Sequence, residues 1–168
     1  MKYFHLLFIF TSINFGLLHA QVDKSHYFPA TLDSLSKVFR GYSDTSKVDT
    51  TKGEVRFFAN IASRFKIRAR FNGAFRLIDD DRKRLLSMWW KHAKRPDLDT
   101  LMKTEILVQE GSKEYWIPIQ QQVFEYLRED FLISHDFVFY IVFIGIIRSI
   151  GAKDLPLTYM ITEYEIQN

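Results

Sequence analysis

The chain contains no cysteine, no internal repeat and no low-complexity segment. The missing thiol excludes disulfides and thiolate metal ligands, and it also excludes the lipid-anchored lipoprotein class. If the chain is exported, its core alone has to stabilise it, which is common in a bacterial periplasm and less so in small secreted eukaryotic domains.

Sequence signatures of catalysis are also missing. There is no G-x-S-x-G elbow, no S-x-x-K motif accompanied by its partner motifs and no glycine loop that could hold a phosphate. We therefore predict no catalytic residue and a protein that is not an enzyme. A hydrolase whose carboxylate pair comes together only on folding is a distant alternative.

The sequence predicts neither a metal site nor a cofactor. No pair among His26, His92 and His135 has the spacing of metal ligands. The three aspartates at 79–81 precede a helical pattern, so they are better explained as a helix cap than as a cation site. His135 and Asp136 fall between a helix and a strand, where we expect a solvated turn.

Charge is nearly balanced, whereas aromatic residues are abundant. The formal net charge is +3, from 23 basic and 20 acidic residues, which is too slight to predict nucleic acid as a partner. Aromatic residues make up 16%, with sixteen Phe, eight Tyr and three Trp. Because aromatic side chains favour strands and large hydrophobic contacts, we expect a β-rich core.

The first twenty residues have the layout of a secretory signal peptide. Lys2 precedes apolar runs at 3–10 and 15–18, and the small residue Ala20 follows them. We therefore expect cleavage after Ala20 and export to the periplasm or the medium. Retention of this segment as an N-terminal anchor is the alternative.

Two further regions are expected after the signal peptide. Residues 21–53 are predicted to form an N-terminal arm with one short helix, "TLDSLSKVF", and a mobile loop at 41–53. Residues 54–168 are predicted to form a single domain, because the chain is too short for two comfortable ones.

The hydrophobic pattern of the domain predicts a mixture of helices and strands. A helical spacing at 54–63 gives way to strict alternation of basic and apolar residues, the signature of a strand, at 64–72. Further on, the predicted elements are a helix at 80–94, a hairpin at 104–120 turning at Gly111 and Ser112, a helix at 121–131 and two strands at 136–150 and 157–166. Pro118 predicts an edge or a bulge in the second hairpin strand.

The segment "DFVFYIVFIGIIRSI" at 136–150 is the most apolar part of the predicted domain. Its uncharged stretch is about 16 Å long as a helix, roughly half of a bilayer core, so it does not predict a membrane span. Phe, Val, Tyr and Ile favour a strand. Since the strand is apolar on both sides, we expect it to be central, with one face inside the core and the other beneath a helix.

The order of these elements fits an OB-like small barrel. The phrases "EYWIPIQ", "YLRED", "FYIVFIG" and "ITEYE" resemble a group of small bacterial proteins of unknown function built on such a barrel, over about residues 60–166. The resemblance implies a fold and no activity. The predicted fold class is therefore α+β, a five-stranded OB-like barrel or strongly curved antiparallel sheet packed with two or three helices.

A row of basic residues is the best candidate for a binding site. Arg64, Lys66, Arg68 and Arg70 alternate along the predicted strand, so their side chains would share one face and could bind an anionic glycan or a lipid headgroup. The alternative is a solvated face balanced by nearby carboxylates. Trp90 and Trp116 are candidate stacking platforms, or else half-buried residues between helix and hairpin.

Two functions from different classes follow from this pattern. The first is an exported, non-enzymatic binding module without a cofactor, which engages an anionic ligand through the basic strand face. The second is an envelope-associated scaffold protein that docks to a partner through its N-terminal arm. After signal cleavage, neither function requires a transmembrane helix or nucleic acid.

Overall fold

The computed structural model of the chain describes residues 24–45, 54–58, 63–94, 96–132, 135–149 and 158–167. The predicted signal peptide and residues 46–53 of the predicted loop lie outside these ranges.

The described chain folds into helices and strands of an α+β protein. In order they are β1 (Phe28–Pro29), α1 (Leu32–Thr45), β2 (Glu54–Phe58), β3 (Arg64–Leu77), α2 (Asp80–His92), β4 (Thr104–Glu110), β5 (Lys113–Ile119), α3 (Gln121–Asp130), β6 (Asp136–Ser149) and β7 (Thr158–Ile166). Short 3₁₀ turns lie at Lys24–His26 and Pro96–Leu101.

The strands pair in a closed ring, in the order β3, β4, β5, β7, β6 and back to β3. Most neighbours are antiparallel, but β5 and β7 run parallel and are in register at a single pair, Ile119 and Ile161. The strands β1 and β2 add to the outside of β3 and β6. The sheet is therefore mixed rather than wholly antiparallel.

The long strand β3 takes part in two ladders and contains a bulge in its second half. Its first half pairs with β6 and its second half with β4, and the register with β4 shifts between Phe71 and Phe75. Gly73 lies in this bulge with a φ of +85°, a backbone conformation that residues with a side chain rarely adopt. The alternation of basic and apolar residues thus predicted the strand correctly, although the strand continues to Leu77.

The predicted helix at 54–63 is wrong in its first part. Residues Glu54–Phe58 form β2 and pair antiparallel with the far end of β6, between Gly145 and Ser149. Five residues can satisfy a helical and an extended pattern equally well, so pairing with a neighbouring strand decided the structure.

The apolar segment is the strand β6, and both of its faces are covered. Phe137, Phe139, Ile141 and Phe143 point into the core of the ring, whereas Val142 and Ile144 pack beneath α2. The prediction of a central strand covered by a helix is therefore confirmed. Among the described residues, no helix combines the length and apolar character needed to cross a membrane.

The helix α1 belongs to the same core. Leu32, Leu35 and Phe39 are buried, and the Phe39 ring stacks on Phe143 with 3.8 Å between centroids. The Glu110 carboxylate at the end of β4 accepts hydrogen bonds from the backbone N–H groups of Leu32 and Asp33, which caps the helix. The helix runs to Thr45, so the first residues of the predicted mobile loop are helical.

The remaining helices and the hairpin are close to their predicted positions. The Asp79 side chain accepts the Arg82 N–H at 2.8 Å and caps α2, as the acidic triplet predicted. The hairpin turns at Gly111 and Ser112. Pro118 is not on an outer edge of the sheet, but it lies beside the one-residue pairing between β5 and β7, where a missing donor costs little.

Candidate functional site

The four basic residues of β3 project from the outer face of the ring, as the alternation predicted. On β6, Arg64 lies opposite Val142 and Lys66 opposite Tyr140. Arg68 lies opposite Val138 and Arg70 opposite Asp136. The apolar residues between them, Ile67, Ala69 and Phe71, are buried. The four basic residues therefore share one face of β3, but their surroundings differ.

The half of the row nearer to the start of β3 is covered by the N-terminal segment. Tyr27 packs edge-on against Tyr140 at 5.1 Å, and its hydroxyl lies 3.2 Å from that of Thr162. The guanidinium of Arg64 lies 5.9 Å from the centre of the Tyr27 ring. This end of the row is thus part of the packing of residues 24–29 on the sheet.

Carboxylates of β7 balance charge beside the covered half. Lys24 Nζ lies 2.9 Å from Glu163 and 2.6 Å from Glu165. Partial burial disfavours the Lys24 ammonium, but its hydrogen bonds to Glu165 and Glu163 outweigh this effect and raise its pKa. The hydrogen bond from Lys24, with smaller contributions from Tyr140 and the nearby Lys66, lowers the pKa of Glu165.

The other half of the row is open, and Arg70 lies at its end. Arg70 forms a bidentate pair with Asp136, with Nε 3.3 Å from Oδ1 and Nη2 3.2 Å from Oδ2. These hydrogen bonds to Asp136 raise the pKa of Arg70. The pair holds both side chains in one geometry, although each is about half-exposed.

Arg68 is the exposed member of the row that has no partner among the described residues. Its side chain is exposed, and its cross-strand neighbour is the half-buried Val138. Among the residues that the structure describes, none forms a hydrogen bond or ion pair with Arg68. Its guanidinium therefore keeps its donors for solvent or a ligand.

Arg68 and Arg70 line an open cavity of about 320 Å³. This Arg68/Arg70 cavity is at the low end of the volumes that hold small ligands. Its polar lining is Arg68 and Arg70 of β3, Gln109 of β4, Gly111 of the hairpin turn, Asp136 of β6 and Gln167 after β7. The cavity therefore combines two guanidinium groups, one carboxylate and two amides.

A second charged cluster lies further along the same face, and its centre is buried. Glu105 of β4 is fully buried and contacts the guanidinium groups of both Arg76 and Arg82. Arg82 also donates to the carbonyl oxygen of Trp116 at 3.1 Å, and the Arg76 guanidinium lies 4.1 Å from the centre of the Trp116 ring. This cluster joins β3, β4, β5 and α2, so its role is in packing.

The two tryptophans differ in accessibility. Trp90 is 5% exposed and packs against Trp89, 4.4 Å away between ring centroids, so it offers no platform for a ligand. Trp116 is half-buried with one ring face beneath Arg76. Trp116 thus lies at the margin of the hairpin, whereas Trp90 is buried in the cluster between α2 and the strands β6 and β7.

Residues missed by sequence reasoning complete the cavity. Asp136 was assigned to a turn, and neither Gln109 nor Gln167 was singled out. The register brings Arg70 opposite both Gln109 and Asp136, and the Gln167 N–H donates to the Asp136 carbonyl at 3.0 Å. The only sequence signal was the strand period, because residues opposite each other share a face.

Metal-binding geometry is absent from the described part of the chain, in which no group of three or more His, Asp or Glu side chains could hold an ion. His135 is exposed, and its ring packs edge-on against Phe131 at 4.5 Å. Compared with known proteins, the chain matches no family model, no curated protein and no solved structure.

Proposed function

We propose that the protein is an exported, non-enzymatic binding module that holds an anionic ligand in the Arg68/Arg70 cavity. The observation that carries this proposal is the exposed guanidinium of Arg68, which has no partner among the described residues and points to a cavity of ligand size. An unpaired guanidinium in a concave site is suited to a carboxylate, phosphate or sulfate group.

We further propose that the ring is an OB-like small barrel. This class has five strands in a Greek-key arrangement and binds oligomers across an open face. The strand order, the parallel contact between β5 and β7, and the helix α3 between β5 and β6 support the assignment. The resemblance of residues 60–166 to small bacterial proteins with such a barrel is part of the same proposal.

Export is proposed from the first twenty residues, whose basic start, apolar runs and small final residue follow the order of a signal peptide. A periplasmic or secreted protein without cysteine would meet polysaccharides and lipid headgroups as its anionic ligands. The proposal therefore places the Arg68/Arg70 cavity in contact with envelope components.

Charge reversal tests the binding proposal. We expect Arg68→Glu to abolish retention of the folded protein on an immobilised anionic polysaccharide such as polygalacturonate. The matched control is Lys103→Glu, which makes the same change in net charge at an exposed residue about 20 Å along β4 from Gln109. Because Arg68 is exposed and unpaired, neither variant should change the melting temperature appreciably.

Two results would contradict the proposal. One is a wild-type protein that is not retained at low salt. The other is equal loss of retention in Arg68→Glu and Lys103→Glu, because this would reflect total charge rather than the cavity.

The alternative function, a scaffold that docks through its N-terminal arm, has less support. Between Lys24 and Phe39 the arm packs on its own sheet, with Tyr27 and Leu32 buried. A docking segment needs surface that is still free for a partner. Capture of an envelope partner that is lost when residues 21–50 are deleted from an otherwise folded protein would restore this alternative.

A further inference from the structure

We infer that the Arg68/Arg70 cavity takes an extended peptide with an acidic side chain, and that this peptide pairs with the main chain of Arg68 as a short added strand. This inference rests on the proposed anion binding and names the class of ligand. It follows from a gap in the hydrogen-bonded ladders along β3, directly beside the Arg68 guanidinium.

The main-chain groups of Arg68 point away from β6. At one end of the ladder between β3 and β6, the Phe71 N–H donates to the His135 carbonyl at 2.9 Å. At the other end, the Phe143 N–H donates to the Ser63 carbonyl at 3.0 Å. The register between these bonds is unbroken, and in an antiparallel ladder every second residue bonds to the neighbouring strand. Residues of β3 with odd numbers therefore bond to β6, and those with even numbers direct their N–H and carbonyl groups to the opposite edge.

Other strands occupy this opposite edge on both sides of Arg68, but not at Arg68 itself. Toward the start of β3, the pairing with β1 ends at Lys66, whose carbonyl accepts the Ala30 N–H at 3.1 Å. Further along β3, the pairing with β4 begins at Arg70, opposite Gln109. Among the described residues, none is bonded to the N–H or the carbonyl of Arg68. One main-chain donor and one acceptor are therefore open between the two ladders.

This gap opens into the cavity. Ala69 and Gly111 are both part of the cavity lining. The Ala69 side chain belongs to the core and Gly111 has no side chain, so both residues line the cavity with main-chain atoms. A Cβ added at Gly111 would meet no atom within 4 Å, so this wall leaves space for a ligand.

An open N–H and an open carbonyl on one strand residue match one residue of a second extended chain. The two residues would exchange N–H···O bonds, as a hydrogen-bonded pair in a sheet does. Residues directly opposite each other share a face of the sheet, so the side chain of the ligand residue would lie beside the Arg68 guanidinium. A glutamate or aspartate there accepts two parallel bonds from the guanidinium. Main chain and charge thus select the same residue of the ligand.

Smaller anions use only part of this arrangement. Acetate and sulfate accept hydrogen bonds but donate none, so the Arg68 carbonyl would keep its bond to water. A peptide residue satisfies both main-chain groups of Arg68 and its guanidinium at once. A site with several polar groups discriminates against ligands that lack a matching partner for one of them.

A titration followed by amide chemical shifts tests the inference in the full folded chain. The probe is acetyl-alanyl-glutamyl-alanine amide, in which only the glutamate carries a charge. One control peptide has an N-methyl group on the glutamate nitrogen, which removes the donor and keeps the charge. Another has glutamine in place of glutamate, and methyl galacturonoside carries the same single charge on a sugar. We expect the probe to bind at least about tenfold more tightly than any of the three.

Hydrogen exchange tests the gap itself. In the free protein the Arg68 amide should exchange faster than the amides of Ile67 and Ala69, which face β6, and the probe should slow it. Protection of the Arg68 amide in the free protein would overturn the inference, because the chain itself would then fill the gap. Arg68→Gln should weaken probe binding at least about tenfold, whereas Lys103→Gln, with the same change in charge, should leave it unchanged.

The remaining outcomes separate the inference from the proposed function. If the N-methyl peptide or methyl galacturonoside binds as tightly as the probe, in an Arg68-dependent way, the inference is overturned and the anion-binding proposal stands. The first result would identify recognition by charge alone, and the second a sugar ligand. If neither the probe nor methyl galacturonoside binds and polygalacturonate does not retain the protein, both are overturned.

Discussion

Arg70 and Asp136 face each other across β3 and β6 and are joined by two side-chain hydrogen bonds of 3.3 and 3.2 Å. The pair engages the guanidinium of Arg70, so at the open end of the basic row Arg68 is the cation without a partner among the described residues. Anion binding should therefore depend on the balance between these three charges rather than on the number of arginines.

This balance predicts the outcome of a charge-restoring pair of substitutions. Arg70→Gln lowers the summed formal charge of Arg68, Arg70 and Asp136 from +1 to zero, so retention on the immobilised anionic polysaccharide should weaken severalfold. Adding Asp136→Asn restores +1, so much of the retention should return. Retention of the wild type and of the single and double variants on the same anionic polysaccharide, at one ionic strength, measures these changes. A double variant that binds no better than Arg70→Gln would show that Asp136 does not act through charge.

Among the charged residues whose burial the structure describes, Glu105 should be the most sensitive to substitution. It is fully buried between Arg76 and Arg82, and Arg82 is itself only 8% exposed. Glu105→Gln leaves a buried guanidinium without its counter-charge, for which we expect a loss of about 3–5 kcal/mol in the free energy of unfolding. Arg76→Gln removes the half-exposed partner and should cost about 1 kcal/mol or less. Urea unfolding measures both, and similar losses would contradict the assigned burial.

Gly73 and Gly111 allow a matched test of the bulge in β3. Both have positive φ, +85° and +62°, so alanine is strained at either position by about 1–2 kcal/mol. A Cβ at Gly73 would also lie 3.0 Å from Cζ of Phe131, whereas at Gly111 nothing lies within 4 Å. Gly73→Ala should thus lower the free energy of unfolding more than Gly111→Ala. In a Phe131→Leu background the difference should shrink, and a difference that persists would place its origin in the backbone alone.

The ion pairs of Asp33 predict a change of stability in acid. Hydrogen bonds from Lys113 and then Lys37 lower the pKa of Asp33 from 3.8 to about 2. Because the folded protein binds this proton less readily than the unfolded chain, the contribution is present above pH 3.8 and is lost as the pH falls toward 2. The stability difference between wild type and Asp33→Asn should accordingly shrink across this interval. Chemical unfolding at successive pH values measures it, and a constant difference would contradict the shift.

Strand period and composition predicted the elements whose pattern is long. The strand at Arg64–Phe71 was assigned correctly because eight alternating residues leave few alternatives. The strand β6 was assigned correctly from its length and its content of Phe, Val, Tyr and Ile. The segment at 54–58 was assigned wrongly because five residues are too few to distinguish the helical period from the strand period. The extension of α1 to Thr45 was missed because Gly41, Ser43 and Asp44 are typical of loops.

The candidate site was predicted only in part, for a related reason. The basic row could be derived from β3 alone. The partner of Arg70, by contrast, is 66 residues away, and it is fixed by the register between two strands. Sequence separation of this size carries no local signal, so neither the pairing of Arg70 nor the isolation of Arg68 could be derived before the topology was known.

The single registered pair between β5 and β7 gives the ring a place to open. On one side the hairpin of β4 and β5 is bonded along β3, but on the other side only Ile119 and Ile161 are in register. Local opening begins where the fewest bonds must break. The hairpin carries Gln109 at the rim of the cavity, whereas Arg68 and Asp136 stand on the firmer ladder of β3 and β6. A ligand that contacts both parts would hold the hairpin against β3 and β6. Ligand binding should then slow amide hydrogen exchange near Ile119 and Ile161.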